Sequence, residues 1–329
     1  MRTLLAALAA TTILGAGIGA GSAQAQDFQP AIVYDMGGKF DKSFNEAAYR
    51  GAEQFREESG IAYREFEVTN EAQREQALRN MARRGADVIV GVGFAQATAM
   101  EKIAQEFPDT KFCIIDGVVE QPNVQSILFK EHEGSFLVGM LAGMKSGTGT
   151  VGFVGGMDIP LIRNFATGYE QGVKHVRPDA EVIQNMTGTT PAAWNDPARG
   201  AELARSQFDR GADVVYAAAG ATGLGVLRAA DDAGKFSVGV DSNQNFLHPG
   251  SVLTSMLKRV DTAVYECMKN AQEGTLEGGV RSLGLAEGGV DYAIDEHNRD
   301  LITPEMEQKV EEAKAQIIAG DLKVEPYQQ

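Results

Sequence analysis

From Gln29 onward, short apolar runs alternate with stretches in which apolar residues recur every three or four positions. Ala31-Ile32-Val33-Tyr34 is continuous and ends in Asp35, the pattern of a strand buried on both faces. Residues 45–58 follow with helical spacing, placing Ala48, Ala52 and Phe55 on one face and Glu and Arg opposite. Residues 63–68 read as a second strand and residues 71–84 as a second helix. Gly85-Ala86-Asp87-Val88-Ile89-Val90 then reads as helix stop, turn and strand. A helix over 95–107 and a strand over 111–116 continue the rhythm, which predicts an α/β domain built on a parallel sheet.

The second half of the chain repeats the first. Gly85-Ala86-Asp87-Val88-Ile89-Val90 recurs as Gly211-Ala212-Asp213-Val214-Val215-Tyr216, and Lys111-Phe112-Cys113-Ile114-Ile115-Asp116 recurs as Lys235-Phe236-Ser237-Val238-Gly239-Val240-Asp241 with one extra residue. The strand at Val151-Gly152-Phe153-Val154 and a helix over 169–176 correspond to the first strand and helix. An offset of about 120 residues lies far above the roughly 20–50 of solenoid repeats, so the pattern is that of a duplicated domain.

Length and charge narrow the classes. A chain of 329 residues exceeds the size of one ordinary core, so two domains are expected. A net charge of −15 argues against nucleic-acid binding and against docking on anionic lipid through a basic patch. Met1-Arg2, an apolar run over 4–19 and Ser22-Ala23-Gln24-Ala25 form the pattern of a cleavable secretory leader over residues 1–25. No Cys lies near that cleavage site to carry a lipid, so the expectation is a diffusible periplasmic protein without a membrane anchor. Cys113 and Cys267 are the only cysteines. Export permits a bond between them, but the apolar strand around Cys113 favours a small buried hydrophobe.

In open parallel sheets, ligands bind beyond the carboxyl ends of the strands. The candidates there are Asp35, Gly91-Val92-Gly93, Asp116, Gly155-Gly156-Met157, Ala219-Gly220-Ala221 and Asp241. Each Asp by itself could be no more than a cap or turn residue. Enzymatic signatures are missing. The four histidines, His132, His175, His248 and His297, show no metal-ligand spacing, and there is neither a nucleophile elbow nor a phosphate loop. Ligand capture fits better: carboxylates accept hydrogen bonds from vicinal hydroxyls, and Lys258, closing the strand Val252–Leu257, could donate to ligand oxygens. Phe44 and Trp194 lie in polar, turn-rich segments, where flat rings can stack on a planar ligand.

These residues carry a resemblance. Asp35-Met36-Gly37-Gly38-Lys39-Phe40-Asp41-Lys42-Ser43-Phe44-Asn45, Gly91-Val92-Gly93-Phe94, Phe112-Cys113-Ile114-Ile115-Asp116 and Glu133-Gly134-Ser135-Phe136-Leu137-Val138-Gly139 resemble the basic membrane protein family, the PnrA-like substrate-binding proteins of ABC transporters. So do Gly155-Gly156-Met157 with Gly168-Tyr169, Trp194-Asn195-Asp196-Pro197-Ala198-Arg199-Gly200 and Gly239-Val240-Asp241-Ser242. The resemblance implies a type I periplasmic-binding fold: two similar parallel-sheet lobes joined by a three-stranded hinge, with the ligand cleft between them. It divides the chain into a leader over 1–25, an N-terminal lobe of 26–131 plus 259–284, and a C-terminal lobe of 132–258 plus 285–329. It further implies a monomeric carrier of purine nucleosides that closes about its hinge and delivers to a membrane permease, with no catalysis, cofactor or metal. By position, Phe44 and Trp194 would face the base from opposite sides, with Asp35 and Asn45 near its polar edge. Asp116, Asp241, Gly220 and Lys258 would meet the ribose. Trp194 departs from the family's more common Phe. A free sugar or a purine base remains an alternative ligand, and a metal-dependent periplasmic nucleoside hydrolase an alternative of another class.

Overall fold

The structure, a computed structural model, describes residues 28–328; the expected leader lies outside them. The chain opens with β1 (Pro30–Tyr34), α1 (Phe44–Ser59), β2 (Arg64–Glu67), α2 (Gln73–Arg83), β3 (Val88–Val92), α3 (Ala97–Glu106), β4 (Lys111–Ile115) and β5 (Val124–Phe129). Its second part runs through α4 (Glu131–Lys145), β6 (Thr150–Met157), α5 (Pro160–Val176), β7 (Glu181–Gly188), α6 (Pro197–Asp209), β8 (Val214–Ala218), α7 (Gly223–Asp232), β9 (Phe236–Asp241) and β10 (Val252–Lys258). α8 (Val260–Gln272), β11 (Gly279–Leu283), β12 (Val290–Tyr292) and α9 (Pro304–Ala319) complete it.

The strands form two six-stranded sheets, ordered β11-β5-β4-β3-β1-β2 and β12-β10-β9-β8-β6-β7. Without the terminal strand of each, the two orders are identical, as a duplicated unit requires. β1, β3 and β8 are buried along their whole length, which explains why they read as continuous apolar runs rather than as alternating ones. β11 joins the first sheet in parallel with β5, whereas β12 joins the second antiparallel to β10. Among the described residues, the chain therefore crosses between lobes three times: after β5, after β10 and between β11 and β12. These crossings lie side by side. The Lys130 amide donates to the Leu283 carbonyl (2.9 Å) and the Arg259 amide to the Gly289 carbonyl (2.8 Å).

α4, which follows the first crossing, escapes sequence periodicity. α4 is buried on eleven of its fifteen residues, so it has no polar face to betray a helical period. It packs directly on α5 because Gly139 and Gly172 leave no side chain between the two backbones; a Cβ on either would strike the facing carbonyl of Tyr169 or Phe136. The expectation that Cys113 is an unpaired buried hydrophobe is corrected: Cys113 in β4 is disulfide-bonded to Cys267 in α8, 154 residues away. Both cysteines are fully buried, and the crossing that returns α8 to the first sheet is what brings them together. The bond staples that returning helix to the lobe it rejoins.

Candidate functional site

The strands of each sheet stop at the same edge and the two edges confront each other, which brings the strand-end positions Asp35, Gly93, Asp116, Ala219, Gly220 and Asp241 to one cavity. Gly91, Val92, Gly155, Gly156, Met157 and Ala221 do not line it. Asp35, Phe44, Asn45, Asp116, Trp194, Gly220, Asp241 and Lys258 all line this cavity between the lobes. Phe44 is the first residue of α1 rather than a loop residue, and Trp194 ends a single 3₁₀ turn, Pro191–Trp194. The indole has its place because residue 156 is glycine; a Cβ there would penetrate the ring. Gly220 takes φ +57°, and its Cα faces the Trp194 backbone. Leu161, Ile162 and Phe165 of α5 also line the cavity, as do Phe94 and Asp41, which the sequence motifs contain without marking them as site residues. The helical spacing of α5 marks its apolar face as core without distinguishing core from cleft.

The hinge end of the cavity is a buried charge cluster. Lys258 Nζ donates to Asp116 Oδ2 (2.6 Å) and to Glu131 Oε1 (3.0 Å), with the ring centres of Phe129, Phe44 and Phe165 at 5.0, 5.4 and 5.4 Å. Burial alone would lower the Lys258 pKa, but Asp116, Glu131 and Asp241 outweigh it and hold the ammonium above its ordinary range. Two of its three protons are already used, so one is left for a ligand oxygen. Glu131, at the start of α4, is the partner that sequence could not supply. It is pushed up to about 7, first by burial, with Lys258 opposing and Asp116 adding to the rise. Asp116 Oδ1 is buried and has no hydrogen-bond partner in the protein. Burial raises Asp116 and lifts Asp241 to about 6.

Contacts between the lobes converge on the same place. Ser43 Oγ donates to Asp241 Oδ2, Ser242 Oγ to the Ser43 carbonyl (2.8 Å), Gln244 Nε2 to the Lys42 carbonyl (2.9 Å), and an Arg50 nitrogen to Ser242 Oγ (2.8 Å). The lobes thus meet through the loop before α1 and the loop after β9. Asp41 holds that first loop by accepting the backbone amides of Ser43 (2.8 Å), Asn45 (3.0 Å) and Glu46 (3.1 Å). Burial still lifts Asp41 to about 7.

The opposite end of the cavity is built on Asp35. Arg74 donates to Asp35 Oδ1 (3.1 Å), yet burial keeps the carboxyl above its usual range. Asn45 braces the segment after β1: its Oδ1 accepts the Asp35 amide, and its Nδ2 donates to the carbonyls of Asp35 and Gly38, each at 3.3 Å. Both ends of that amide therefore shape the loop as well as facing the cavity. His132, His175, His248 and His297 stay outside the lining. Among the described residues, the carboxylate and imidazole groups close enough together to hold a metal are Asp295, Glu296 and His297, also outside it.

Two α/β lobes with strand ends enclosing a cleft have counterparts of known class. The family model of PnrA-like ABC transporter substrate-binding proteins matches residues 28–327. The chain belongs to this Bmp family. A Bmp relative in Lactococcus lactis, named ABC transporter nucleoside-binding protein BmpA, is 31% identical over 91% of this chain and 89% of its own. The crystal structure of an ABC transporter solute-binding protein from Aeropyrum pernix superimposes with a TM-score of 0.84 at 32% identity, covering 92% of this chain and 94% of that one. The Bmp protein described here is thus a two-lobed α/β substrate-binding protein of an ABC transporter, as the family resemblance had led us to expect.

One expectation falls. A relative from Pyrococcus horikoshii, 35% identical over 82% of this chain and 69% of its own, is named a lipoprotein, as are its counterparts in Pyrococcus abyssi and Pyrococcus furiosus. That finding overturns the expectation of a diffusible periplasmic protein with no membrane anchor. A lipid anchor is an acyl chain on one residue, so neither hydropathy nor fold carries its signature. Among the described residues, no helix is long and apolar enough to cross a membrane.

Proposed function

We propose that this Bmp protein captures a purine nucleoside between its lobes and presents it to the permease of an ABC importer. The observation that carries this reading is one cavity with two flat rings from opposite lobes and a different polar group at each end. Phe44 and Trp194 take the two faces of the base, each stack contributing about 1–3 kcal/mol in known nucleobase sites. Asp35, fixed by Arg74, meets the polar edge of the base, and Asn45 holds the loop that aims it.

The sugar lies at the hinge. Asp116 Oδ1, a buried acceptor without a protein partner, takes a ribose hydroxyl; Asp241 takes the other, and Lys258 donates its remaining proton to a ribose oxygen. Gly220 brings its backbone to the same end. The N-terminal lobe comprises 26–131 plus 259–284, the C-terminal lobe 132–258 plus 285–329, and the three crossings between them serve as the hinge. Closure brings together contacts from both lobes, so the ligand favours the closed form that the permease reads.

Calorimetric titration with guanosine, adenosine, inosine, guanine and ribose tests the reading. Binding of the nucleosides well above that of free base and free ribose is expected. Heat from ribose alone would replace the nucleoside with a sugar, and tight binding of guanine alone would remove Asp241 and Lys258 from their roles.

A further inference from the structure

A second cavity of about 310 Å³ adjoins the first on the side away from the hinge. Asp35, Phe94 and Trp194 line both; the second adds Glu71, Arg74 and Ala95 from one lobe and Met157, Thr189, Thr190 and Pro191 from the other. None of Asp116, Gly220, Asp241 or Lys258 reaches it. The two ends of the site are therefore unlike. Rings and a charge cluster enclose the hinge end, while the Asp35 end opens into a chamber with room for about ten waters.

The lining of this chamber is polar and two-signed. The Arg74 guanidinium is buried, and it is tied to Asp35 by one nitrogen while its Nε has no protein partner. Thr189 and Thr190 are exposed at the turn that carries Trp194, and Glu71 is exposed across from them. Hydroxyls, a guanidinium and a carboxylate together offer donors and acceptors to a group that carries both.

We propose that the chamber is a subsite for a polar, uncharged substituent on the base edge, so that the protein takes up purine nucleosides modified on the base as well as the parent compounds. The proposal rests on the nucleoside reading above: with the ribose at the hinge and Asp35 at the base edge, only a group continuing from the base can enter the chamber. It makes the protein permissive at the base and restrictive at the sugar.

The test is calorimetric titration of the full chain with adenosine, N6-(3-hydroxypropyl)adenosine and N6-butyladenosine. The hydroxypropyl compound is expected to bind within about threefold of adenosine and at least fivefold more tightly than the butyl compound. Thr190→Trp, which places bulk in the chamber at an exposed position, is expected to weaken the hydroxypropyl compound about tenfold and leave adenosine unchanged. A tenfold or greater loss for the hydroxypropyl compound on the unaltered protein would overturn the subsite while the nucleoside reading stands. Equal binding of hydroxypropyl and butyl compounds would also overturn it, by showing an open mouth without polar recognition. Absence of binding by adenosine, guanosine and inosine alike would remove the nucleoside reading, and the subsite with it.

Discussion

Asp116 and Asp241 occupy the same place twice. Asp116 follows the last residue of β4 and Asp241 ends β9, and both sit in the left-handed backbone region, at φ +64° and +63°. Such a conformation in a residue other than glycine costs on the order of 1 kcal/mol, and its appearance at both equivalent positions argues for a shared role at the cleft. Their partners break the symmetry. Asp116 accepts from the ammonium of Lys258, the last residue of β10, whereas Asp241 accepts from the hydroxyl of Ser43, just before α1.

Lys258 is the counterion on which this cluster depends. Replacing it with Met leaves Asp116 and Glu131 buried without compensation, a change that costs roughly 3–5 kcal/mol in comparable buried pairs. The loss should be larger at pH 8 than at pH 5, because protonation relieves the unpaired carboxylates as pH falls. Urea denaturation of both proteins at the two pH values checks this; an equal loss at both would contradict it.

The buried carboxylates also give the unaltered protein a pH dependence of defined sign. Asp41 and Glu131 are lifted to about 7 and Asp241 to about 6, so each holds its proton more tightly folded than unfolded. Their contribution to stability is full below about pH 4 and is lost as pH rises through 6 to 7. The denaturation midpoint is therefore expected to be higher at pH 5.5 than at pH 8. Glu131→Gln should shrink that difference by an amount on the order of 1–3 kcal/mol, and an unchanged slope would remove Glu131 as a source.

The disulfide closes a long loop, which in the chain-entropy account stabilises by roughly 5 kcal/mol. Cys113→Ala with Cys267→Ala is expected to lower stability by about 2–5 kcal/mol. Since both sulfurs are fully buried, reductant should act on the native protein only slowly and on the unfolded chain at once. Thiol titration with and without denaturant separates these cases.

Trp194 is the only tryptophan in the chain and lines the site, so its fluorescence reports occupancy without a label. A saturable change on adding guanosine or adenosine is expected. Trp194→Ala should weaken binding by about 1–3 kcal/mol with little change in Tm. Gly156→Ala should weaken it as well, because the added Cβ displaces the indole. Unaltered affinity in both variants would remove Trp194 from recognition.

Phosphorylated ligands should be rejected. The proposed sugar end places Asp116, Glu131 and Asp241 around one buried ammonium. A 5′-phosphate adds like charge to that group and is expected to weaken binding at least roughly 100-fold relative to the nucleoside. Titration with AMP beside adenosine checks it, and comparable affinities would move the ribose elsewhere.

Much of this was written locally in the chain. The apolar runs, the helical spacings and the recurrence of Gly-Ala-Asp blocks and of Lys-Phe runs that end in Asp specify a duplicated α/β architecture, because burial on both faces and the helical period act over a few residues. The rule that parallel strands present ligands at their carboxyl ends then selects Asp35, Asp116, Gly220 and Asp241 without knowledge of how the lobes meet. Only tertiary structure decides the rest. Glu131 becomes the partner of Lys258, Cys113 the partner of Cys267 and Ser43 the partner of Asp241 where the chain crosses between lobes or the lobes meet. Arg74 becomes the support of Asp35 where α2 packs beside the end of β1. The second chamber beyond Trp194 exists only where the two lobes face each other. Periodicity records how each segment meets its own sheet, whereas contacts made at long sequence separation leave no local pattern to read.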